Sequence, residues 1–185
     1  DKFKISEKHP LLVFRKKPQW INIESITKKD KLLFPIPKIN IKFPYQNKLI
    51  LEDESGYSKK IKLNKFFFRF LGYWIGDGFT NDFHNTERVG LIFNLKKEKD
   101  LCNFYEQNIK KFFGIKKISK NIHNGAIYLY WRDKSLRIWL SEHFRREWKG
   151  KTLPDWFFGI NKNQFDYFIK GWIESDGYTD KLNRT

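Results

Sequence analysis

The sequence predicts an α+β fold in which helices cover one face of an antiparallel sheet. Three observations carry this. A short apolar stretch ending in Asp-Gly occurs twice: Phe70-Leu71-Gly72-Tyr73-Trp74-Ile75-Gly76-Asp77-Gly78, and Ile169-Lys170-Gly171-Trp172-Ile173-Glu174-Ser175-Asp176-Gly177. Between the copies, runs of period two alternate with a run of helical period. One pair of these runs is joined through Asn124-Gly125, the strongest short hairpin signal.

Residues 1–40 read as short strands. Phe3 and Ile5 alternate with Lys4 and Ser6. Leu11-Leu12-Val13-Phe14 is a buried-strand run, Trp20-Ile21-Asn22-Ile23 alternates again, and Leu32-Leu33-Phe34-Pro35-Ile36-Pro37 ends at prolines. Residues 41–64 are charged and weakly periodic, and read as linker or insertion. Asn64 is an N-cap for a helix over residues 66–76. Two strands follow, at Phe79-Thr80 and over residues 88–94. Residues 97–113 form a helix with Leu101, Phe104, Tyr105, Ile109, Phe112 and Phe113 on one face, capped by Gly114. Residues 115–121 and 126–131 form the Asn-Gly hairpin. Residues 135–144 are helical with Leu136, Trp139 and Leu140 inward, and the second acidic helix starts near Gln164. Residues 65–185 thus contain one helix-strand-strand-helix-strand-strand-helix unit and the start of a second.

The repeated stretch has physical content. Gly72 with Gly76, and Gly171 with Ser175, stand four residues apart and share one helix face. Two faces almost without side chains let two helix backbones come very close. A glycine just past a helix is the common left-handed stop. It leaves Asp77 and Asp176 in the last turn, where the helix dipole disfavours a carboxylate. If the helices pack side by side and parallel, the two acids meet and either bind protons or demand a cation. Oxygen donors suit Mg2+ or Mn2+. The candidate metal site is therefore Asp77 and Asp176, with Gly76 and Ser175 beside them.

Composition bounds the partner. The chain has 185 residues, with 37 basic side chains against 21 acidic and a net charge of +16, so a polyanion such as nucleic acid is expected. Hydrophobic residues at 40% and aromatic ones at 18% suffice for a core. No long apolar run or basic amphipathic helix points to a membrane. The single cysteine, Cys102, excludes an internal disulfide and a cysteine zinc cluster, and reads as a small core residue. His9, His84, His123 and His143 have no metal-ligand spacing. The polar start shows no signal peptide, which predicts an intracellular protein. Heavy use of Lys, Ile, Asn and Phe fits an AT-rich genome of viral or organellar kind.

The paired stretches resemble the LAGLIDADG motifs of homing endonucleases, most closely the dodecapeptide type found inside inteins. Asp77 and Asp176 fall on the family's metal-binding acid, and Gly72 and Gly171 on its first glycine. The first copy departs at the sixth position, where Ile75 replaces an acid that Glu174 keeps in the second. Lys151-Thr152-Leu153-Pro154 resembles the Lys-x-Leu-Pro block before the second motif. The resemblance implies that Lys151 polarises the water network or offsets charge building on the phosphate. It also implies a saddle-shaped antiparallel sheet over double-stranded DNA. Candidate DNA-facing residues are Arg88, Asn94, Lys116, Ser119, Asn121, Tyr128, Tyr130 and Arg132, of types able to reach bases or phosphates. The implied reaction is Mg2+- or Mn2+-dependent hydrolysis of phosphodiester bonds, by a monomer with pseudo-twofold symmetry when full length.

Residues 1–40 resemble the N-terminal splicing region of inteins, the Hint fold. Ser6-Glu7-Lys8-His9-Pro10 matches the family's Thr-x-x-His with Ser6 for Thr. There the histidine assists an acyl shift. The junction nucleophile and the terminal His-Asn pair are not in this stretch, so His9 speaks for ancestry. The second unit breaks off at Thr185, so these residues alone are expected to cut DNA poorly or not at all. Two other readings compete: a non-cleaving DNA- or RNA-binding maturase or regulator, and a splicing element whose endonuclease is dead.

Overall fold

The computed structural model describes residues 10–32, 42–45, 48–81, 87–144 and 151–176. Ser6, His9, His84, Gly177 and the Phe3-Ile5 alternation lie outside them. The chain divides into two compact units, Asp1–Ile39 and Asn40–Thr185. The architecture is α+β, with antiparallel sheets and four α-helices among the described residues. Among those residues, no helix is long and apolar enough to cross a membrane.

In the first unit, β1 (Pro10–Phe14) pairs antiparallel with β2 (Pro18–Asn22) on one side and β3 (Lys31–Leu32) on the other. Val13 is fully buried there. Arg15 closes the far loop with two bonds to the Asp30 carboxylate, at 2.6 and 2.9 Å. The guanidinium, with the Thr27 amide, holds that carboxyl well below the usual carboxylate range.

In the second unit, the stretch read as linker or insertion contains two strands. β4 (Lys48–Glu52) and β5 (Ser58–Lys62) form an antiparallel hairpin, and Leu49, Leu51, Ile61 and Leu63 are buried in the main core. Ahead of it, Phe43 packs on Phe68 and the Tyr45 hydroxyl meets His143 Nε2 at 2.8 Å. The charges that suggested a linker occupy the outward positions of an alternating strand pair.

Helix α1 (Lys65–Asp77) begins where predicted, because the Asn64 side chain accepts from the amides of Phe66 and Phe67. Nearly every side is buried: Phe67, Phe68, Phe70, Leu71, Tyr73 and Trp74 all lie in the core. It runs straight into the four-stranded sheet of β6 (Gly78–Asn81), β7 (Arg88–Asn94), β8 (Ser119–His123) and β9 (Ala126–Arg132), ordered β6-β7-β9-β8. Gly78 is therefore not a left-handed stop. Its backbone is extended (φ −89°, ψ 159°) and starts β6. A methyl group there would stand 2.3 Å from the Trp74 ring, which is why a glycine is needed. Left-handed backbone occurs elsewhere, among other places at Gly114 (φ 66°) after α2 (Lys99–Phe113), and at Asn124 (φ 48°) and Gly125 (φ 76°) in the β8-β9 hairpin.

One face of the sheet is the core. Val89, Leu91 and Phe93 of β7 and Ile127, Leu129 and Trp131 of β9 meet α1, α2 and α3 (Lys134–Phe144). From α2 come Cys102, Tyr105, Ile109 and Phe113, with Leu101, Phe104 and Phe112 half-buried beside them. From α3 come Leu136, Trp139, Leu140 and Phe144. The last element, α4 (Lys162–Ser175), starts with a capping box between Asn161 and Gln164.

Candidate functional site

The two copies of the repeat are α1 and α4, and they pack backbone to backbone. A methyl group at Gly72 would lie 1.9 Å from the Phe168 carbonyl oxygen and 2.8 Å from the Trp172 nitrogen. One at Gly171 would lie 1.9 Å from the Arg69 oxygen and 2.9 Å from the Tyr73 nitrogen. Each glycine thus sits on the corresponding turn of the other helix, the reciprocity of a pseudo-twofold axis. One turn further on, a methyl at Gly76 would stand 2.1 Å from the Ser175 hydroxyl and 3.0 Å from the Asp176 carboxyl carbon. The points of contact advance together along both helices, so the helices run parallel.

The two acids therefore share one end of the seam. Asp77 is the last residue of α1 and is half-buried; Asp176 caps α4 and is exposed. Burial raises the Asp77 pKa first, and the charges of Asp176 and Glu98 raise it further, while Lys151 opposes them. An acid so placed gains from a cation. The side-chain donors at this end of the seam are oxygens, the two carboxylates, while the Gly76 carbonyl accepts from Lys151 at 3.3 Å. Such a set suits Mg2+ or Mn2+, which bind through one or two carboxylates and keep water as remaining ligands. Among the described residues, no three Asp, Glu, His or Cys side chains form a group that could hold a metal ion. Ser175 contributes a small side chain to the close approach, and its hydroxyl donates to the Trp172 carbonyl at 2.9 Å.

Lys151 reaches the same end of the seam from a loop far along the chain. Its ammonium lies on the end of α1, donating to the carbonyls of Trp74 (2.6 Å), Ile75 (3.1 Å), Gly76 (3.3 Å) and Gly78 (2.5 Å). It also stands 4.7 Å from the Trp74 ring centroid. With no left-handed glycine to close the helix, a lysine from a distant loop satisfies its last carbonyls.

The sixth motif position has a role at the seam's other edge. Arg69 of α1 makes a two-pronged bond to Glu174 of α4, at 2.7 and 2.6 Å. The Tyr105 hydroxyl stands 3.2 Å from the same carboxylate, and the Phe104 ring lies 4.1 Å from the guanidinium carbon. Glu174 is thus tied to Arg69, while Ile75, its counterpart in the first copy, packs against the core.

The register of the sheet puts most of the candidate nucleic-acid residues on the face away from the helices. Arg88 pairs with Arg132, Ser119 with Tyr130, and Asn121 with Tyr128. Asn94 lies on the same face opposite Ala126, but its side-chain oxygen accepts from the Lys96 and Lys97 amides and is committed to the turn. Lys116 is not on a strand, since β8 begins at Ser119. It lies in the loop ahead of β8, in a groove of about 580 Å³ lined also by Arg88, Lys117, Ser119, Tyr130 and Arg132. The Arg88 guanidinium stacks on Tyr130 at 4.9 Å.

Three neighbours escaped the sequence reading. Phe79 and Asn81 pair with Gly90 and Arg88 and so lie on the open face. Their alternation with buried Thr80 was the available signal. Phe79 covers Gly90, where a methyl would come 2.3 Å from the ring, and lies 6.3 Å from Tyr128. Glu98, whose charge acts on Asp77, had no local signal, because only the tertiary fold brings it near. On α4, Trp172 and Ile173 are each 45% exposed, although Tyr73 and Trp74 at the same motif positions of α1 are buried under the sheet.

Comparison with protein-family models and with curated proteins finds no match for this chain.

Proposed function

We propose that the chain is part of a metal-dependent endonuclease of the LAGLIDADG homing type, acting on a long specific site in double-stranded DNA. The single observation that carries this reading is the glycine seam that delivers Asp77 and Asp176 to one end of two parallel helices. Residues 1–40 enter it only as the remnant of an intein-like splicing domain, a reading that rests on Ser6, His9 and the Hint resemblance.

Asp77, Asp176 and the Gly76 carbonyl would hold Mg2+ or Mn2+. When bound, the ion supplies charge stabilisation to the phosphate and to the departing oxygen of the broken P–O bond. The protein's own share is placement. The seam fixes the two carboxylates, because neither helix can slide without driving a larger side chain into the partner's backbone. The sheet's open face takes the duplex, with Arg88, Lys116 and Arg132 neutralising phosphates and Ser119, Asn121, Tyr128 and Tyr130 turned toward base edges. A second unit covering the exposed Trp172 and Ile173 would complete a two-sided site.

Selection from a pool of random DNA duplexes tests the reading. It expects enrichment of one sequence. Lys116→Ala should weaken binding to all duplexes alike and reduce the salt slope by about one, whereas Asn121→Ala should relax the preferred sequence. Mn2+ uptake should require both Asp77 and Asp176, and any Mg2+-dependent nicking of the selected duplex should vanish in Asp77→Asn. Specific DNA binding with no ion taken up by the two aspartates would favour a regulator that does not cut. Preference for single-stranded RNA over every duplex would overturn the DNA assignment.

A further inference from the structure

The lysine at the end of α1 has an unusual set of partners. An ammonium carries three hydrogens, and here four main-chain oxygens share them at 2.5–3.3 Å. Those oxygens belong to the last turn of α1 and the first residue of β6, so they bracket Asp77 on both sides. The arrangement is a cage of carbonyls around a cation, closed on one side by the Trp74 ring. The negative end of the helix dipole points into it.

Gly76 belongs to this cage, and the metal reading above gives its carbonyl to the ion as well. Its carbonyl oxygen cannot serve an ammonium and a divalent ion at contact distance without strong repulsion between the two cations. We propose that Lys151 is a positioning residue: it is the resident cation of the α1 terminus, and it gives up the Gly76 carbonyl when a divalent ion enters. The inference rests on the metal reading of the Asp77–Asp176 site. It assigns Lys151 an action through the turn that carries Asp77, in place of contact with the reacting phosphate. Its movement would link ion binding to the loop that bears it, which also carries Leu153 and Pro154.

Mn2+ binding followed by the electron paramagnetic resonance of the free ion tests this, alongside thermal melting in chelator. Lys151→Met keeps the aliphatic stem and removes the charge. The expected result is Mn2+ binding about tenfold tighter than in the unaltered chain, the scale of one nearby charge at a part-buried site. The metal-free variant should also melt lower, and saturating Mn2+ should close the gap. Lys151→Arg should not restore the original affinity, because a planar fork cannot fill a cage built around a compact ammonium. Should Lys151→Met fail to fold, the unaltered chain still decides. Adding Mg2+ should change the near-ultraviolet tryptophan signal as the ammonium shifts against the Trp74 ring, and Trp74→Phe should abolish that change. Equal or weaker Mn2+ binding by Lys151→Met, or a tryptophan signal indifferent to Mg2+ while Mn2+ binds, would overturn the proposal. Absence of Mn2+ uptake by the unaltered chain would overturn the metal site itself. Uptake lost in Asp77→Asn but unchanged in Lys151→Met would overturn only the role of Lys151.

Discussion

Replacing Gly72 by Ala puts a methyl group 1.9 Å from the Phe168 carbonyl oxygen, with the Trp172 nitrogen at 2.8 Å and the Phe168 carbonyl carbon at 2.9 Å. The shortest of these is roughly 1.5 Å inside ordinary contact. All three obstacles are main chain, so no side-chain rotation relieves them and α4 must back away from α1. Overpacking in a core costs about 1–3 kcal/mol, and this case lies at or beyond the top of that range. Alanine returns about 1 kcal/mol of helix propensity. The net expectation is a loss of about 2–3 kcal/mol. Gly171→Ala meets the Arg69 oxygen at the same 1.9 Å and should cost a similar amount. The double variant is the sharper test. One outward shift of α4 makes room for both methyls, so the double should lose less than the sum of the singles by about 1 kcal/mol or more. Urea unfolding, followed by tryptophan fluorescence and helical circular dichroism, measures all four states. A Gly72→Ala chain as stable as the original, or two losses that simply add, would refute backbone contact at the seam.

Two further outcomes follow from the same geometry. Burial and the Asp176 charge raise the Asp77 pKa, so the folded chain holds that proton more tightly than the unfolded one and is weakened when the group ionises. In chelator at pH 7, Asp77→Asn should therefore melt higher than the original chain. Its advantage should shrink as pH falls through the raised pKa toward the ordinary carboxyl range, and an advantage that grows on acidification would contradict the burial. At the seam's other edge, Arg69→Met strands the Glu174 carboxylate, whose side chain is only 19% exposed. The loss should be about 2–3 kcal/mol, and adding Glu174→Leu should recover most of it. A double variant no better than the single would mean that the pair's apolar stems matter more than its charges.

Much of the fold is written in short stretches of chain. Asn64 before an apolar run starts α1, Gly114 ends α2, Asn124-Gly125 turns β8 into β9, and the alternation along β9 separates the core face from the open face. Each of these rests on caps, left-handed turns or side-chain period, which involve neighbours a few residues apart. The pairing of Gly72 with Gly171 was legible too, because a repeat carries the same face twice. The sequence left other features open. Leu49, Leu51 and Ile61 looked like a charged bridge until the core they fill was assembled around them. Gly78 looked like a helix stop, yet a strand begins there and the Trp74 ring explains the glycine. Lys151 closes α1, Glu98 bears on Asp77, and Arg69 holds Glu174, across separations no local pattern encodes. Local sequence settles which residues become helix, strand or turn. Which charge meets which depends on how those elements pack, since electrostatics acts through space and not along the chain.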